Sequence, residues 1–175
     1  YGPPEVEGHL LALIRDGQSV DSAISGERVE VVLPRTPFYV EAGGQVSDTG
    51  VIAGKDWQIE VEDMRRPIGG LIVHVGEVVE GTPRIGQKAI ARIDTERRAA
   101  IRRNHTATHL LHAELRKQLG THVQQRGSLV APDRLRFDFS HPQPLTAEEI
   151  ESITLAINRT ILDNLPVIPT HKDLQ

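Results

Sequence analysis

The sequence predicts an α+β fold: a small β-barrel-like part over residues 1–93, then a helix–strand–strand–helix sandwich over residues 94–175. Three observations carry this. Up to about residue 93, short Val- and Ile-rich runs alternate with Gly and Pro clusters, the pattern of many short strands joined by tight turns. From Thr95 to Leu119 there is no Gly or Pro, and Ala, Arg and Leu dominate. Further on, Thr146 stands three residues before Glu149, the spacing of a capping box, ahead of isoleucines at helical intervals.

Each element has a local reason. In HLLALIRDGQSV, Asp16-Gly17 suits a two-residue hairpin turn, because Gly tolerates positive φ. Glu27–Leu33 is Val-rich, and Ile59, Glu60, Val61 and Glu62 alternate as a half-buried strand does. Leu71, Val73 and Val75 are expected on one face, Ile72 and His74 on the other, with Lys88–Ile93 as a further strand. Asp94 or Thr95 can cap the long helix, and Gly120 can end it; Ile101, Ala107, Leu111, Leu115 and Leu119 give its apolar stripe. Val123–Val130 and Leu135–Phe139 read as strands, the second with Leu135, Phe137 and Phe139 inward. The last helix starts at Thr146, buries Ile150, Ile153, Ile157, Ile161 and Leu165, and stops at Pro166.

Composition narrows the function. No apolar run approaches the 18 residues or more of a transmembrane helix, so no membrane role is expected. There is no cysteine, which removes disulfides, thiolate ligands and Cys nucleophiles together and makes the cytoplasm the default compartment. One Trp, two Tyr and three Phe are too few for a broad base-stacking platform. The net charge is −4, yet Arg84–Arg136 holds twelve Arg and Lys against four Asp and Glu. A basic middle in an acidic chain is either a phosphate-contacting surface or a solvated helix face.

Three groups of residues can carry chemistry. In NHTATHLLH, His105 and His109 are four apart on one helix face, close enough for two imidazoles to reach one metal; Thr106 stands where a metalloprotease would have its Glu. Two ligands make only half of a zinc site, and His122, His141 and His171 are distant in sequence. Partly buried or surface histidines are the plain alternative. In TPFYVEAGGQVSDTG, Gly43-Gly44 permits a tight turn, Gln45 places an amide directly after it and Thr36 offers a hydroxyl; an ordinary glycine turn is the alternative. Arg98, Arg102, Arg103, Arg116, Lys117 and Arg126 are candidates for phosphate contact, or else solvated charges. No P-loop, GxGxxG or Ser–His–Asp order is present.

TPFYVEAGGQVSDTG together with NHTATHLLHAELRKQLGTHVQQRGSLVAPDRLRFDFSH resembles the editing domain of bacterial-type alanyl-tRNA synthetases, over essentially the whole chain from YGPPEVEG to LPVIPTHKDLQ. Freestanding alanyl-tRNA editing proteins and the editing domain of threonyl-tRNA synthetase are related. The resemblance implies a β-barrel-like part followed by the threonyl/alanyl-type editing sandwich, with a zinc ion held by an HxxxH and a later CxxxH motif. His105 and His109 match the first pair; the second has no counterpart here, and the expectation is a chain cut from a longer protein and ending before it. Gln45 matches the family's pocket glutamine, and Thr36 its pocket threonine, proposed to recognise a serine hydroxyl; His112 is read as packing.

The implied activity is hydrolysis of the ester in tRNA for alanine mischarged with serine or glycine. One apolar pocket discriminates weakly between such small side chains, so a second, hydrolytic site is required for high fidelity. The implied partner is the acceptor end of that tRNA, held by the arginine clusters. ATP and Mg would serve the parent ligase's aminoacylation and not this segment, in which metal binding and hydrolysis are expected to be weak. Surfaces left exposed by truncation could drive homodimerisation. A non-catalytic tRNA-binding module, or a freestanding deacylase using His122 or His171 as a substitute ligand, are the rival readings.

Overall fold

The computed structural model describes residues 2–166 and 168. Its strands are β1 (Glu5–His9), β2 (Ala12–Arg15), β3 (Gln18–Ser19), β4 (Arg28–Val32), β5 (Gly50–Ala53), β6 (Gln58–Arg65), β7 (Val73–Glu80) and β8 (Lys88–Ile93), then β9 (Gln125–Val130) and β10 (Leu135–Phe139). The helices are α1 (Thr95–Leu119) and α2 (Ala147–Leu162). The fold is therefore α+β, as the alternation of sequence patterns predicts.

The first eight strands form one curled antiparallel sheet in the order β1-β8-β5-β6-β7-β4-β2-β3. Only Leu10 and Leu11 separate β1 from β2. Yet β1 pairs with β8, at one end of the sheet, and β2 pairs with β4 near the other. The Leu10 N–H donates to the Gln87 carbonyl at 3.0 Å and the Leu11 N–H to Val32 at 2.9 Å. One bent segment thus touches both ends, and the strands wrap around a shared interior of Leu10, Leu13, Val29, Val31, Ile52, Ile59, Val61 and Val78. Alternation puts these side chains inside and their polar neighbours, such as Glu60 and Glu62, outside. The expected hairpin is present: Asp16 and Gly17 have φ of 51° and 75° between β2 and β3.

The second layer begins one residue after β8. The Asp94 side chain accepts the Arg97 N–H at 2.9 Å and caps α1, and Gly120 ends the helix. β9 and β10 pair antiparallel. The Thr146–Glu149 capping box opens α2. Leu115, Val123 and Ile153 form this layer's buried core, with Leu111, Leu119, Phe137, Phe139 and Ile157 packed on it.

Four expectations need correction. Val123 is fully buried but precedes β9, because the Arg116 guanidinium holds the Thr121 and Val123 carbonyls (3.0 and 2.8 Å) in a loop. α2 stops at Leu162, since Asn164 takes the left-handed conformation (φ 47°) that Asn tolerates; Leu165 and Pro166 lie beyond it. Only Ile153 of the expected stripe is buried, while Ile150 and Ile161 are more than half exposed. On β7, Val73 and His74 are both buried, because the 36–38 segment covers the side on which His74 stands.

Candidate functional site

The 42–45 turn joins the two layers. Ala42 and Gln45 exchange backbone hydrogen bonds across Gly43 (φ 59°) and Gly44 (φ 84°), a two-residue turn that needs left-handed geometry at both central positions. The Val130 N–H donates to the Gly44 carbonyl at 2.7 Å and the Val46 N–H to the Val130 carbonyl at 3.1 Å, so the turn lies against β9. A Cβ on Gly44 would overlap the Ser128 carbonyl, whereas one on Gly43 meets open space. The double glycine thus has two reasons: conformation at both positions, and close approach at the second.

That docking delivers Gln45 to α1. Its side chain is buried, and its Oε1 accepts a hydrogen bond from His105 Nδ1 at 2.6 Å. An amide oxygen can only accept, so His105 carries its proton on Nδ1 and its lone pair on Nε2. His109 follows one turn later, its ring stacked on that of His105 with centroids 5.1 Å apart and planes at 22°. Burial, and then the charge His109 carries when protonated, hold the His105 pKa below the ordinary imidazole value. Both effects favour the neutral form that a metal requires.

Thr36 belongs to the same segment. Its Oγ1 lies 2.7 Å from His74 Nε2 and accepts the Phe38 N–H at 3.1 Å; His74 Nδ1 lies 3.1 Å from the Val31 carbonyl. Between Thr36 and Gln45, α1 grips the segment again through Arg98. Arg98 Nε donates to Asp48 Oδ1 at 2.8 Å, and Nη2 donates to Asp48 Oδ2 and to the Pro37 carbonyl, the latter at 3.1 Å. Arg98 and His105 are seven residues apart, so their grips on the segment are spaced about 10 Å along one helix face.

The remaining basic residues divide. Arg98, expected to contact phosphate or solvent, is instead buried against Asp48. Arg116 is half-buried and committed to the carbonyls after α1, and Lys117 pairs with Glu114 at 3.1 Å. Arg102, Arg103 and Arg126 are exposed. Arg126 lines an open hollow of about 540 Å³ with His122, Gln124, Phe139, Ser140 and His141. There His122 Nε2 and His141 Nδ1 are 2.9 Å apart. His112 packs on Phe137, centroids 5.1 Å apart. His171 lies outside the described residues. Among the described residues, no three His, Asp or Glu side chains gather as a metal site, and no helix is long and apolar enough to cross a membrane.

Sequence reasoning missed Asp48 and His74. Asp48 sits in a polar loop whose composition gives no sign of burial. Alternation puts His74 on the face of β7 away from Val73, and the folded 36–38 segment covers it there.

The sequence that builds this sheet and turn matches a known family. Residues 1–97, slightly more than half the chain and including Thr36 and Gln45, match the family of class II (A) tRNA synthetases. The chain belongs to that family. It is 53% identical over 168 residues to an alanine–tRNA ligase of Chelativorans sp. (strain BNC1), and 51% identical over 168 residues to one of Rhizobium meliloti (strain 1021). It is 48% identical over 167 residues to one of Mesorhizobium japonicum. These matches cover 95–96% of this chain and 19% of each relative, so the chain spans about a fifth of the length of the ligases it resembles.

Proposed function

We propose that this chain is the editing segment of an alanyl-tRNA synthetase, with the threonyl/alanyl editing fold, and that it takes part in hydrolysing the ester of seryl- and glycyl-tRNA for alanine. The carrying observation is the Gln45–His105 hydrogen bond, which unites two motifs sixty residues apart. Likeness to alanine–tRNA ligases supports the same reading. Aminoacylation with ATP and Mg would fall to residues outside this sequence. The cytoplasm follows from the same reading.

His105 and His109 fit zinc in kind: two imidazoles one helical turn apart, the first with its Nε2 freed by Gln45. In number they fall short, because a tetrahedral site takes four donors and the described residues bring together two. Bound there, zinc would orient the substrate's amino group or activate water. The chain's own residues do the rest. Gln45 holds the His105 tautomer. Thr36 presents a hydroxyl to the amino acid. Arg102, Arg103 and Arg126 face solvent, where the tRNA acceptor end can meet them and where contact would weaken with salt. The shortage of donors favours a second reading for the chain alone, a tRNA-binding module without catalysis.

Hydrolysis of seryl-tRNA for alanine with added zinc, by this chain and by its His105→Ala/His109→Ala double variant, separates the two readings. Weak activity lost in the double variant supports a working site. Salt-dependent tRNA binding with no hydrolysis above the variant supports the binding module. Absence of both hydrolysis and tRNA binding would sink the proposal.

A further inference from the structure

The Thr36–His74 pair has a defined hydrogen-bond direction. The Val31 carbonyl can only accept, so the 3.1 Å contact to His74 Nδ1 puts the imidazole proton on Nδ1. His74 is 1% exposed, and burial depresses its pKa, which keeps the ring neutral. Nε2 is then an acceptor, and at 2.7 Å it takes the Thr36 hydroxyl proton. Phe38 N–H occupies one lone pair of Thr36 Oγ1 at 3.1 Å. A hydroxyl has one proton and two lone pairs. Thr36, half-buried and so still reachable, is left with a single free lone pair and no free donor.

We propose that His74 is a positioning residue that makes Thr36 a pure hydrogen-bond acceptor, so that this position selects an aminoacyl group carrying a side-chain hydroxyl donor over one without it. This rests on the editing reading given above and assigns a residue and a bond direction that the reading does not contain. The edge of the Phe38–His74 contact (centroids 5.4 Å apart, planes at 73°) holds the ring from the side, so the imidazole is fixed by two hydrogen bonds and one packing contact. A serine side chain would donate its hydroxyl proton to the remaining lone pair. An alanine side chain would leave that lone pair facing a methyl group, unpaired once water is displaced. Glycine would not reach it.

Two measurements on this chain test the assignment. Long-range ¹⁵N–¹H correlation spectra should show His74 as the Nδ1–H tautomer; an Nε2–H tautomer would overturn it. Non-hydrolysable amides linking serine, alanine or glycine to the 3′ position of adenosine should bind with the seryl form about tenfold tighter than the alanyl form. Thr36→Val and His74→Phe should each erase that preference, and Thr36→Ser should retain it. Because His74→Phe removes a buried polar group and can impair folding, Thr36→Val carries the decision. A seryl preference that survives Thr36→Val overturns the assignment alone. An equal loss of all three amides in a folded His74→Phe variant shows a merely structural role and also overturns it. Failure of every amide to bind the unsubstituted chain would overturn the editing reading, and this assignment with it.

Discussion

Arg98 and Asp48 form a two-pronged, almost fully buried ion pair between the first turn of α1 and the loop after the glycine turn. Asp48 also accepts the Tyr39 N–H at 2.6 Å, and Arg98 reaches the Pro37 carbonyl, so one pair of charges gathers both ends of the 37–48 segment onto the helix. Removing one partner strands the other charge in the interior. Asp48→Ala and Arg98→Ala are each expected to cost about 3–5 kcal/mol in urea unfolding. The double variant Arg98→Met/Asp48→Leu should lose less than the sum of the two. An additive double variant would show that the pair does not act as a unit.

The two glycines of the turn should respond unequally. Both have positive φ, so an Ala at either carries backbone strain of about 1–2 kcal/mol. At Gly43 that is the whole cost, because the added Cβ meets nothing. At Gly44 it would drive into the Ser128 carbonyl and push the turn off β9. Gly44→Ala should therefore be distinctly less stable than Gly43→Ala and should disturb the His105 ring resonances, which Gly43→Ala should leave in place. Equal effects would mean that close approach to β9 does not matter.

The sequence carried the fold further than the site. The Asp16-Gly17 hairpin, the Asp94 and Thr146 caps and the alternation in β6 and β10 are local signals, settled within a few residues, and each is present. The buried Arg98 was illegible because charge and helical spacing alone do not distinguish a solvated guanidinium from one whose partner lies fifty residues upstream. His74 failed for a related reason: period-2 alternation assigns a face, and whether that face is covered depends on a distant segment. The end of α2 was set by Asn164 turning left-handed, a conformation that sequence permits but does not demand. Gln45 and His105 were each legible as candidates, but their contact depends on the turn docking onto β9.

Gln45 should matter to metal affinity without touching metal. Its carbonyl oxygen holds the His105 proton on Nδ1, which leaves Nε2 free as a donor. Gln45→Leu would remove that hold and bury the Nδ1–H without a partner. In zinc titrations of this chain followed by calorimetry, Gln45→Leu is expected to weaken binding about tenfold, and His105→Ala to abolish what binding there is. A zinc affinity indifferent to Gln45→Leu would confine the glutamine to holding substrate.

The buried His74 gives stability a pH dependence of known sign. Its pKa in the folded chain is lowered, with desolvation the larger cause and the hydrogen bond to Val31 opposing it. In the unfolded chain it titrates near the ordinary value of about 6.5. Above that value neither state is protonated and the contribution is constant. As the pH falls below it, the unfolded chain takes up a proton that the folded chain refuses, and stability declines until the lower, folded pKa is reached. One such group gives a slope of up to about 1.4 kcal/mol per pH unit. His105, also lowered, acts in the same direction, so the whole-protein curve does not isolate His74. A glutamine at position 74 can donate to Val31 and accept from Thr36 without titrating. His74→Gln should therefore be less stable than the parent at pH 7.5, with a gap that narrows steadily toward pH 5.5 in denaturant titrations. A gap that stays constant over that range would mean that His74 is protonated equally in both states, and that its ring is not the neutral acceptor that the Thr36 hydroxyl requires.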